Sequence, residues 1–327
     1  MKALFALPGP NGGTFEFRDV PAVDPGPGQA RILVRASGLN RGALISMSSL
    51  HLDPSVVEPM PVGVEFAGEV DALGDGVGAV SVGDRVMGRG RGATAEYVTL
   101  DARFLMPVPD GWSWEEAASV PNVFITSHDA IVTNGRFRSG ESLMVTAGSS
   151  GVGTASLQIA RLRGAKLTLA TTRSPAAKGE ALQALGADAV IDTTLHEWPQ
   201  AVLEATGGQG VDVIVDTVGA PLLSGILDSM ALRGRLVSVG RTGGNVADID
   251  LDLLARKRLE LIGVTFRSRT EEEDVDCTRR FAEDLLPALI DGQLMPVLHE
   301  AFPWQEAAAA YRSMSRNIHI GKIVVVM

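Results

Sequence analysis

Residues 142–162 read SLMVTAGSSGVGTASLQIARL, and they carry the clearest indication of the fold class. It opens with an apolar run, Ser142–Ala147, which predicts a buried strand. A glycine-rich turn follows, and glycines without a Cβ let backbone amides approach a pyrophosphate at the N-terminus of the next helix. Such a turn can also need glycine for packing alone. Because a strand precedes it and an amphipathic helix follows it, we predict a dinucleotide-binding βαβ unit.

The helix that follows the turn has apolar residues at helical spacing. The residues expected to face the sheet are Val152, Ala155, Ile159 and Leu162. The turn residues expected to hold the dinucleotide are Gly148, Ser149, Ser150, Gly151, Val152 and Gly153.

Around this stretch, residues 122–266 alternate short apolar runs with helix-like segments. The strand candidates are residues 142–147, 166–170, 189–191, 211–216, 235–240 and 259–265. Strands covered on both faces by crossover helices have near-continuous apolar runs, which is the pattern of a parallel, doubly wound sheet. The fold class is therefore α/β.

The segments on either side of this sheet have a different pattern. In the first hundred residues, short alternating runs such as Arg31–Ala36 are separated by glycine clusters, which predicts a small β-rich barrel or sandwich. After the sheet, Thr270 and Glu273 have the spacing of a capping box and predict a helix that ends near Gly292. The last run, Lys322–Val326, is a strand expected to return to the first domain.

The residues after the second strand indicate which dinucleotide binds. NAD-binding enzymes usually carry Asp or Glu there for the ribose 2′-hydroxyl. This chain has no carboxylate at that position and reads Thr172-Arg173-Ser174, with Lys178 further on. A 2′-phosphate suits Arg173 as a planar donor and Lys178 as a point charge, although both could be ordinary surface charges. The pattern favours NADPH.

Composition excludes several classes of protein. The chain has 327 residues, 29 of them basic and 39 acidic, and its net charge of −10 argues against a general nucleic-acid binder. Cys277 is the only cysteine, so an internal disulfide or a site of several thiolates is not possible. The sequence has no run near the roughly 18 apolar residues of a membrane span. We expect a cytoplasmic protein without membrane contact.

Several short motifs occur in an order that resembles a known superfamily. They are Gly63–Gly68, Val82–Val86, Ala95–Val98, Ala147–Gly153, Leu185–Asp188 and Gly321–Val324. From end to end the chain resembles the medium-chain dehydrogenase/reductase superfamily, within it the zinc-independent NADPH:quinone oxidoreductase branch. The resemblance implies a GroES-like catalytic domain of residues 1–121 and 267–327, a Rossmann domain of residues 122–266, and a substrate cleft between them.

The resemblance also implies that the protein binds no zinc. Zinc-dependent members of the superfamily use a cysteine where this chain has Asn40 and a histidine where it has Val64. A catalytic zinc needs Cys, His or carboxylate ligands, so the metal site is expected to be missing.

Quinone reductases of this branch resemble one another in an Asn-x-x-Asp pattern followed by tyrosines, and this chain keeps only the asparagine. Ala43 replaces the aspartate, and Ile45 and His51 stand where tyrosines are usual. Asn40 is expected to hydrogen-bond a substrate carbonyl or a ribose hydroxyl. His51 is either a proton donor near neutral pH or a loop residue that never meets the substrate.

Further contacts to the dinucleotide are implied by the same resemblance. Thr126 matches a threonine that lies near the nicotinamide in relatives. The other residues expected at the cofactor are Val218, Gly240, Arg241, Phe266, Arg267 and Asn317. Each could instead be a cap or a turn residue, and Arg267 and Arg269 could face solvent.

These observations predict an enzyme that transfers a hydride from NADPH to a small quinone or α,β-unsaturated carbonyl without a metal. One alternative is an enoyl-thioester reductase that acts on acyl-CoA or acyl-carrier substrates and accommodates a pantetheine arm. A second alternative is an NADPH-binding sensor or structural protein with little turnover, similar to the zeta-crystallins of the same branch. Relatives usually form homodimers through the edge strand of the nucleotide domain, here residues 259–265, so we expect a homodimer.

Overall fold

The computed structural model describes residues 1–7, 13–47 and 58–327, with the backbone alone for residues 45–47. Of the predicted site residues, His51 lies outside the described residues. Contacts divide the chain into two compact units, residues 1–122 with 278–327, and residues 123–277. The sequence placed these boundaries at 121/122 and 266/267, so the second one lies further along the chain in the structure.

The elements are as follows. The strands are β1 (Lys2–Leu7), β2 (Thr14–Asp19), β3 (Gln29–Gly38), β4 (Met60–Pro61), β5 (Glu65–Leu73), β6 (Arg85–Arg89), β7 (Tyr97–Asp101), β8 (Leu105–Pro107), β9 (Ser142–Val145), β10 (Leu167–Thr172), β11 (Ala189–Asp192), β12 (Val211–Asp216), β13 (Met230–Ser238), β14 (Glu260–Gly263), β15 (Leu298–Pro303) and β16 (Lys322–Val326). The α-helices are α1 (Arg41–Met47), α2 (Trp114–Ala118), α3 (Pro121–His128), α4 (Gly151–Leu162), α5 (Pro175–Ala184), α6 (Trp198–Ala205), α7 (Leu223–Ser229), α8 (Leu251–Lys257), α9 (Glu271–Ile290) and α10 (Ala307–Ser315).

The first unit is rich in β-strands, as the sequence predicted. Strands β2, β1 and β4 pair in that order, and a larger sheet has the order β15-β16-β3-β5-β6-β8, with β7 also paired to β3. Alternation along β3 buries Ile32, Val34 and Ala36, none of which is more than 1% exposed. The predicted return of the C-terminal strand is confirmed, because β16 runs antiparallel to β3 with Val324 opposite Gly38.

The second unit contains a parallel sheet with the strand order β11-β10-β9-β12-β13-β14. The chain therefore winds outward from β9 in both directions, and every residue of β9 is buried. This order confirms the predicted doubly wound sheet, and such sheets bind ligands at the carboxyl ends of their strands where the order reverses. Strand β13 begins earlier than predicted, because Met230 pairs with Val211 across a bulge.

Strand β14 lies at one edge of this parallel sheet, and its Leu261 is 39% exposed. An exposed edge offers unpaired backbone groups to another strand. The homodimer expected through this edge stays a prediction.

Helix α4 packs against the sheet with a different face from the one predicted at its C-terminal end. Ala155 and Ile159 are fully buried, as expected. The predicted burial of Leu162 is wrong, because this last helical residue is 37% exposed, and the buried surface runs instead through Leu157 and Ala160.

Helix α9 confirms the predicted capping box. Thr270 Oγ1 accepts from the backbone N–H of Glu273 at 3.3 Å, and the Glu273 carboxylate accepts from the backbone N–H of Thr270 at 2.8 Å. Thr270 also donates its hydroxyl to this carboxylate at 3.0 Å, and the two hydrogen bonds that the carboxylate accepts from Thr270 lower the pKa of Glu273.

In residues 1–7, 13–47 and 58–327, we find no helix with the length and apolar character that a bilayer span requires.

Candidate active site

The glycine-rich turn of the second unit leads from β9 into α4. Its backbone is held against β10, because Gly148 N donates to Thr171 O at 2.8 Å. Ser150 is the N-cap of α4, and its Oγ accepts from Gly153 N at 3.0 Å. A Cβ built on Gly153 would lie 2.4 Å from Gly148 O, and one built on Gly148 would lie 2.7 Å from the Ala170 Cβ. Glycine is therefore required at both positions.

The start of α4 offers backbone donors to an anion. In the part of the chain that the structure describes, no partner accepts from the N–H groups of Gly151 and Val152. These two amides stand at the positive end of the helix dipole, which suits a phosphate group. Dinucleotide binding by this turn stays a prediction.

Of the two predicted cations, the structure brings only Lys178 to the loop. Lys178 is 7% exposed, and its Nζ donates to Ser149 Oγ at 2.9 Å. Arg173 follows β10 directly and is exposed, and Thr172 before it is buried. Lys178 therefore places a positive charge beside the turn, and the Arg173 guanidinium stands in solvent at the strand end.

The loops after β12 and β13 meet around Asp216. Its carboxylate accepts from Thr146 Oγ1 at 2.6 Å and from the backbone amides of Val218 and Gly219 at 3.0 and 2.9 Å. Burial raises the pKa of Asp216, and the three hydrogen bonds oppose that effect. Gly240 packs closely here, since a Cβ on it would lie 2.6 Å from Thr217 O. Val218 and Gly240 thus lie in two loops that pack against each other.

Arg241 lines a cavity of about 290 Å³ at the carboxyl ends of β12, β13 and β14. Asp216, Ser238 and Gly263 also line it.

The two arginines in the segment after β14, Arg267 and Arg269, lie in different environments. The Arg269 guanidinium lies 4.5 Å from the Phe266 ring centroid and pairs with Asp129 at 2.7 Å, so it stabilises the second unit. Arg267 is exposed, with its backbone N–H bonded to Thr265 Oγ1 at 3.2 Å. The structure therefore leaves Arg267, and not Arg269, facing solvent.

The sole cysteine contacts the same ion pair. Cys277 Sγ lies 3.7 Å from Asp129 Oδ1. Burial, followed by the charge of Asp129, raises the pKa of the Cys277 thiol to about 12. The thiol is therefore protonated at neutral pH.

Two further predicted residues lie in or directly after helices. Thr126 lies in α3 and is 6% exposed. Asn317 follows α10 in a left-handed conformation with a φ of 60°, and its Oδ1 accepts from Arg41 Nη2 at 2.7 Å. Asn317 therefore links the end of α10 to α1 within the first unit, and its predicted contact with the dinucleotide stays a prediction.

In the first unit, Asn40 belongs to a buried polar network. Glu65 and Lys322 are 0% and 5% exposed, and Glu65 Oε1 lies 2.6 Å from Lys322 Nζ. Asn40 Nδ2 donates to Glu65 Oε1 at 2.8 Å, and Asn40 Oδ1 accepts from Lys322 Nζ at 3.1 Å. Asn122 donates its backbone N–H to Glu65 Oε2 at 2.8 Å and its side-chain Nδ2 to Asn40 Oδ1 at 2.9 Å.

The amide of Asn40 has no position left for a substrate. An asparagine amide has two N–H donors and an oxygen with two lone pairs. Its second donor binds Gly38 O at 3.2 Å, and its oxygen already accepts from Lys322 and Asn122. The predicted bond from Asn40 to a substrate carbonyl or ribose hydroxyl would therefore require one of these bonds to break.

The surroundings of Glu65 are adapted to its carboxylate. A Cβ on Gly38 would lie 2.6 Å from Glu65 Oε1, so only glycine fits there. Tyr311 is 2% exposed and stacks on Phe15 with the ring centroids 4.3 Å apart. Burial, followed by the charge of Glu65, raises the pKa of Tyr311. Its hydroxyl therefore stays protonated at neutral pH.

Sequence reasoning missed Glu65, Lys322 and Asn122 as members of a site. A signal was present, because Glu65 interrupts the apolar run from Val64 to Gly68 and Lys322 opens an apolar strand. A buried charge needs a partner, but the sequence does not show which one.

Among the described residues, no group of three or more His, Cys, Asp or Glu side chains could hold a metal ion. The expectation that no zinc binds stays a prediction.

Two family models match the chain. The model described as an alcohol dehydrogenase GroES-like domain matches residues 26–110, and the model described as a zinc-binding dehydrogenase matches residues 151–282. With the fold described above, they establish the class: the chain belongs to the medium-chain dehydrogenase/reductase superfamily and is an oxidoreductase. The predicted combination of a GroES-like domain and a Rossmann domain is confirmed.

The curated relatives are much longer proteins. The chain is 32% identical over 306 residues to the pikromycin polyketide synthase component PikAII of Streptomyces venezuelae, which is 92% of this chain and 8% of that protein. It is 33% identical over 324 residues to the mycoketide-CoA synthase of Mycobacterium tuberculosis, or 96% of this chain and 7% of that protein. The chain spans less than a tenth of the length of either relative.

Solved structures match the chain along its whole length. The mycobacterial protein Rv1454c complexed with NADPH has a TM-score of 0.89 and 28% identity, with 100% of both chains covered. A quinone oxidoreductase of Pseudomonas syringae pv. Tomato DC3000 has a TM-score of 0.87 and 29% identity over 100% of this chain and 99% of that one. The CurK enoyl reductase has a TM-score of 0.84 and 26% identity over 99% of both chains.

Proposed function

We propose that this chain is an NADPH-dependent enoyl-thioester reductase, which reduces the carbon–carbon double bond of an α,β-unsaturated acyl thioester. The observation that carries the proposal is the similarity of 92% of the chain to part of a polyketide synthase component. The similarity to the CurK enoyl reductase over 99% of both chains supports it. The proposal moves the activity away from a small quinone or α,β-unsaturated carbonyl, which the sequence alone favoured, to a thioester.

The residues of the second unit fit a dinucleotide. Gly148 and Gly153 leave the turn without side chains, so that the amides of Gly151 and Val152 can bind a pyrophosphate. In the proposal, Arg173 and Lys178 bind the 2′-phosphate. The similarity to Rv1454c, which was solved with NADPH, supports this choice of cofactor. Bound NADPH would supply the hydride that reduces the double bond.

The protein itself binds and orients the reactants. Asp216 accepts hydrogen bonds from the backbone amides of Val218 and Gly219 and so orders the loop after β12. Negative charge develops on the thioester carbonyl oxygen when the β-carbon is reduced, and a fixed hydrogen-bond donor stabilises that charge. The α-carbon then receives a proton from water or from a side chain, for which His51 stays a candidate.

Quinone reduction is a second candidate. The P. syringae quinone oxidoreductase is 29% identical and has a TM-score of 0.87, values close to those of the enoyl reductase match. A quinone accepts a hydride at a position activated by a conjugated carbonyl, as an enoyl thioester does. The same site therefore suits both reactions, and a comparison of kcat/KM for the two kinds of acceptor must distinguish them.

A steady-state comparison of acceptors tests the proposal. The purified chain is mixed with NADPH or NADH and with crotonyl-coenzyme A, the crotonyl thioester of N-acetylcysteamine, 1,4-benzoquinone or a simple enone. We expect kcat/KM for a thioester with NADPH to exceed that for the quinone by about tenfold or more. With NADPH deuterated at C4, the saturated product should carry the deuterium on its β-carbon.

Each other outcome supports a different candidate. Faster oxidation of NADPH by the quinone would support the second candidate. Tight NADPH binding without oxidation by any acceptor would favour a binding protein with little turnover. No binding of either nucleotide would contradict all three functions.

A further inference from the structure

We propose that Asn122 donates an Nδ2–H hydrogen bond to the carbonyl oxygen of the thioester. Its amide orientation is set by a relay through Asn40 from the buried ion pair of Glu65 and Lys322. This inference rests on the proposed function, because it names the donor that stabilises the charge formed on that oxygen.

The ion pair fixes the orientation of Asn40. An ammonium group only donates hydrogen bonds, and a carboxylate only accepts them. Lys322 Nζ must therefore face Asn40 Oδ1, and Glu65 Oε1 must face Asn40 Nδ2. A flipped amide would place two donors together and two acceptors together, and burial makes both contacts costly.

Asn40 in turn fixes the orientation of Asn122. The Asn40 Oδ1 atom only accepts, so Asn122 must present its Nδ2 to it, as it does at 2.9 Å. The backbone N–H of Asn122 is also held, because Glu65 Oε2 accepts from it at the start of α3. A carboxylate at this end of a helix is favoured by the helix dipole. Both the main chain and the amide of Asn122 are therefore held in place.

Among the described residues of this network, Asn122 is the one whose side-chain amide still has an unused donor and an unused acceptor. Its Nδ2 carries a second hydrogen, and within the described residues nothing accepts that hydrogen or donates to its Oδ1. The residue is half-buried, and it lies four positions before Thr126 in the chain. Asn40 has no free position, and Lys322 uses its three donors on Leu39 O, Asn40 and Glu65. A ligand oxygen that meets this network therefore finds its donor at Asn122.

The reaction needs such a donor. Addition of a hydride to the β-carbon breaks the carbon–carbon π bond, and the electron pair moves through the α-carbon onto the carbonyl oxygen as an enolate. A proton then binds the α-carbon and restores the carbonyl, so one hydride and one proton have been added. A pre-oriented donor at the oxygen typically accounts for about 100-fold or more in kcat.

The test compares wild type with Asn122→Val, Asn122→Asp and a matched control, Asn134→Val. Asn134 is also a half-buried amide, and its Nδ2 donates to a backbone oxygen, Asp129 O, at 2.9 Å. We expect Asn122→Val to lower kcat for crotonyl-coenzyme A about 100-fold, with the NADPH dissociation constant unchanged. Asn122→Asp should lose at least as much, because a carboxylate cannot donate and repels an enolate. Asn134→Val should keep kcat and lower only the melting temperature.

A second measurement reads the hydrogen bond without turnover. Butyryl-coenzyme A labelled with ¹³C at the carbonyl is bound to wild type and to Asn122→Val, and the infrared carbonyl band is recorded. We expect a shift to lower frequency in wild type, and we expect the variant to lack it. An unshifted wild-type band, or the same shift in both proteins, would overturn the inference.

The outcomes separate this inference from the proposed function. If wild type reduces the enoyl thioester and Asn122→Val keeps the wild-type kcat, the proposed function stands and the role of Asn122 is wrong. If Asn122→Val weakens NADPH binding as much as it lowers kcat, Asn122 contacts the cofactor and the inference is also wrong. If wild type neither reduces nor binds a thioester, the proposed function fails, and the inference fails with it.

Discussion

The glycine turn between β9 and α4 and the buried network around Glu65 position their hydrogen-bonding groups by different means. The turn offers backbone amides to a ligand. It leaves no space for a side chain at Gly148 and Gly153. The network offers side chains, and its two buried charges stabilise each other and orient two amides. Extra volume should therefore damage the turn, whereas a change of charge or polarity should damage the network.

The largest expected effect is the loss of charge in the network. Replacing Glu65 with glutamine leaves the buried Lys322 ammonium without its counter-charge. We expect Glu65→Gln to lower the free energy of unfolding, measured in urea, by about 3–5 kcal/mol. The double variant Glu65→Gln/Lys322→Met should recover part of this loss, because it removes the uncompensated charge as well.

A matched control lies on the same strand. Glu69 also forms an ion pair, with Arg35 at 3.1 Å, but these side chains are 37% and 40% exposed. Glu69→Gln should cost at most about 1 kcal/mol, because water screens an exposed pair. Equal losses of unfolding free energy for Glu65→Gln and Glu69→Gln would show that the buried ion pair stabilises the fold no more than the exposed one.

The second prediction concerns a long-range side-chain cluster in the other unit. Burial and the charge of Asp129 raise the pKa of Cys277 to about 12 from a reference of 9.0, so the thiolate is scarce in the folded protein. We expect iodoacetamide at pH 8 to alkylate native Cys277 about 100- to 1000-fold more slowly than the thiol of the urea-unfolded chain. Similar rates in both states would contradict the raised pKa.

These two clusters also show where sequence reasoning ends. The strands of the second unit and the glycine turn could be predicted, because a buried parallel strand, a tight turn and a helix start each depend on residues close together in the chain. Glu65 and Lys322 are 257 positions apart, and Asp129 and Cys277 are 148 apart. Nothing local to any of these residues identifies its partner.

The predicted site was affected in the same way. Asn40 could be selected by resemblance, but the occupation of all its hydrogen-bonding positions depends on Lys322 and Asn122, which reach it only in the fold. The separation of Arg267 from Arg269 likewise depends on Asp129, far from both in the chain. The sequence therefore predicted which residue types lie near a site. Which of their hydrogen-bond donors and acceptors are unoccupied could be seen only from the contacts in the fold.

The third prediction adds volume to the turn. We expect Gly153→Ala to lower stability by about 1–3 kcal/mol, because its Cβ would lie 2.4 Å from Gly148 O and the backbone must shift. The same shift should weaken NADPH binding by roughly ten- to a hundredfold in a fluorescence titration, since the amides no longer converge.

The control for this variant is another glycine-to-alanine change in the second unit. Gly179 lies in α5, and nothing stands within 4 Å of a Cβ there. Gly179→Ala should raise stability by up to about 1 kcal/mol through helix propensity and leave NADPH binding unchanged. If Gly153→Ala bound NADPH as tightly as Gly179→Ala, the turn would not hold the dinucleotide by its backbone.

The smallest expected effect lies at Arg173, which directly follows β10. Its exposed guanidinium has no partner among the described residues, so Arg173→Ala should leave the fold intact and remove only a contact to a ligand. We expect the dissociation constant of NADPH to rise about tenfold, which is about 1.4 kcal/mol, while that of NADH stays unchanged.

Lys178→Met should also weaken NADPH binding, but it removes the bond to Ser149 Oγ and should therefore affect NADH as well. The Arg173 variant thus isolates recognition of the 2′-phosphate from the shape of the turn. Equal weakening of both nucleotides in Arg173→Ala would mean that the 2′-phosphate is not bound by this residue.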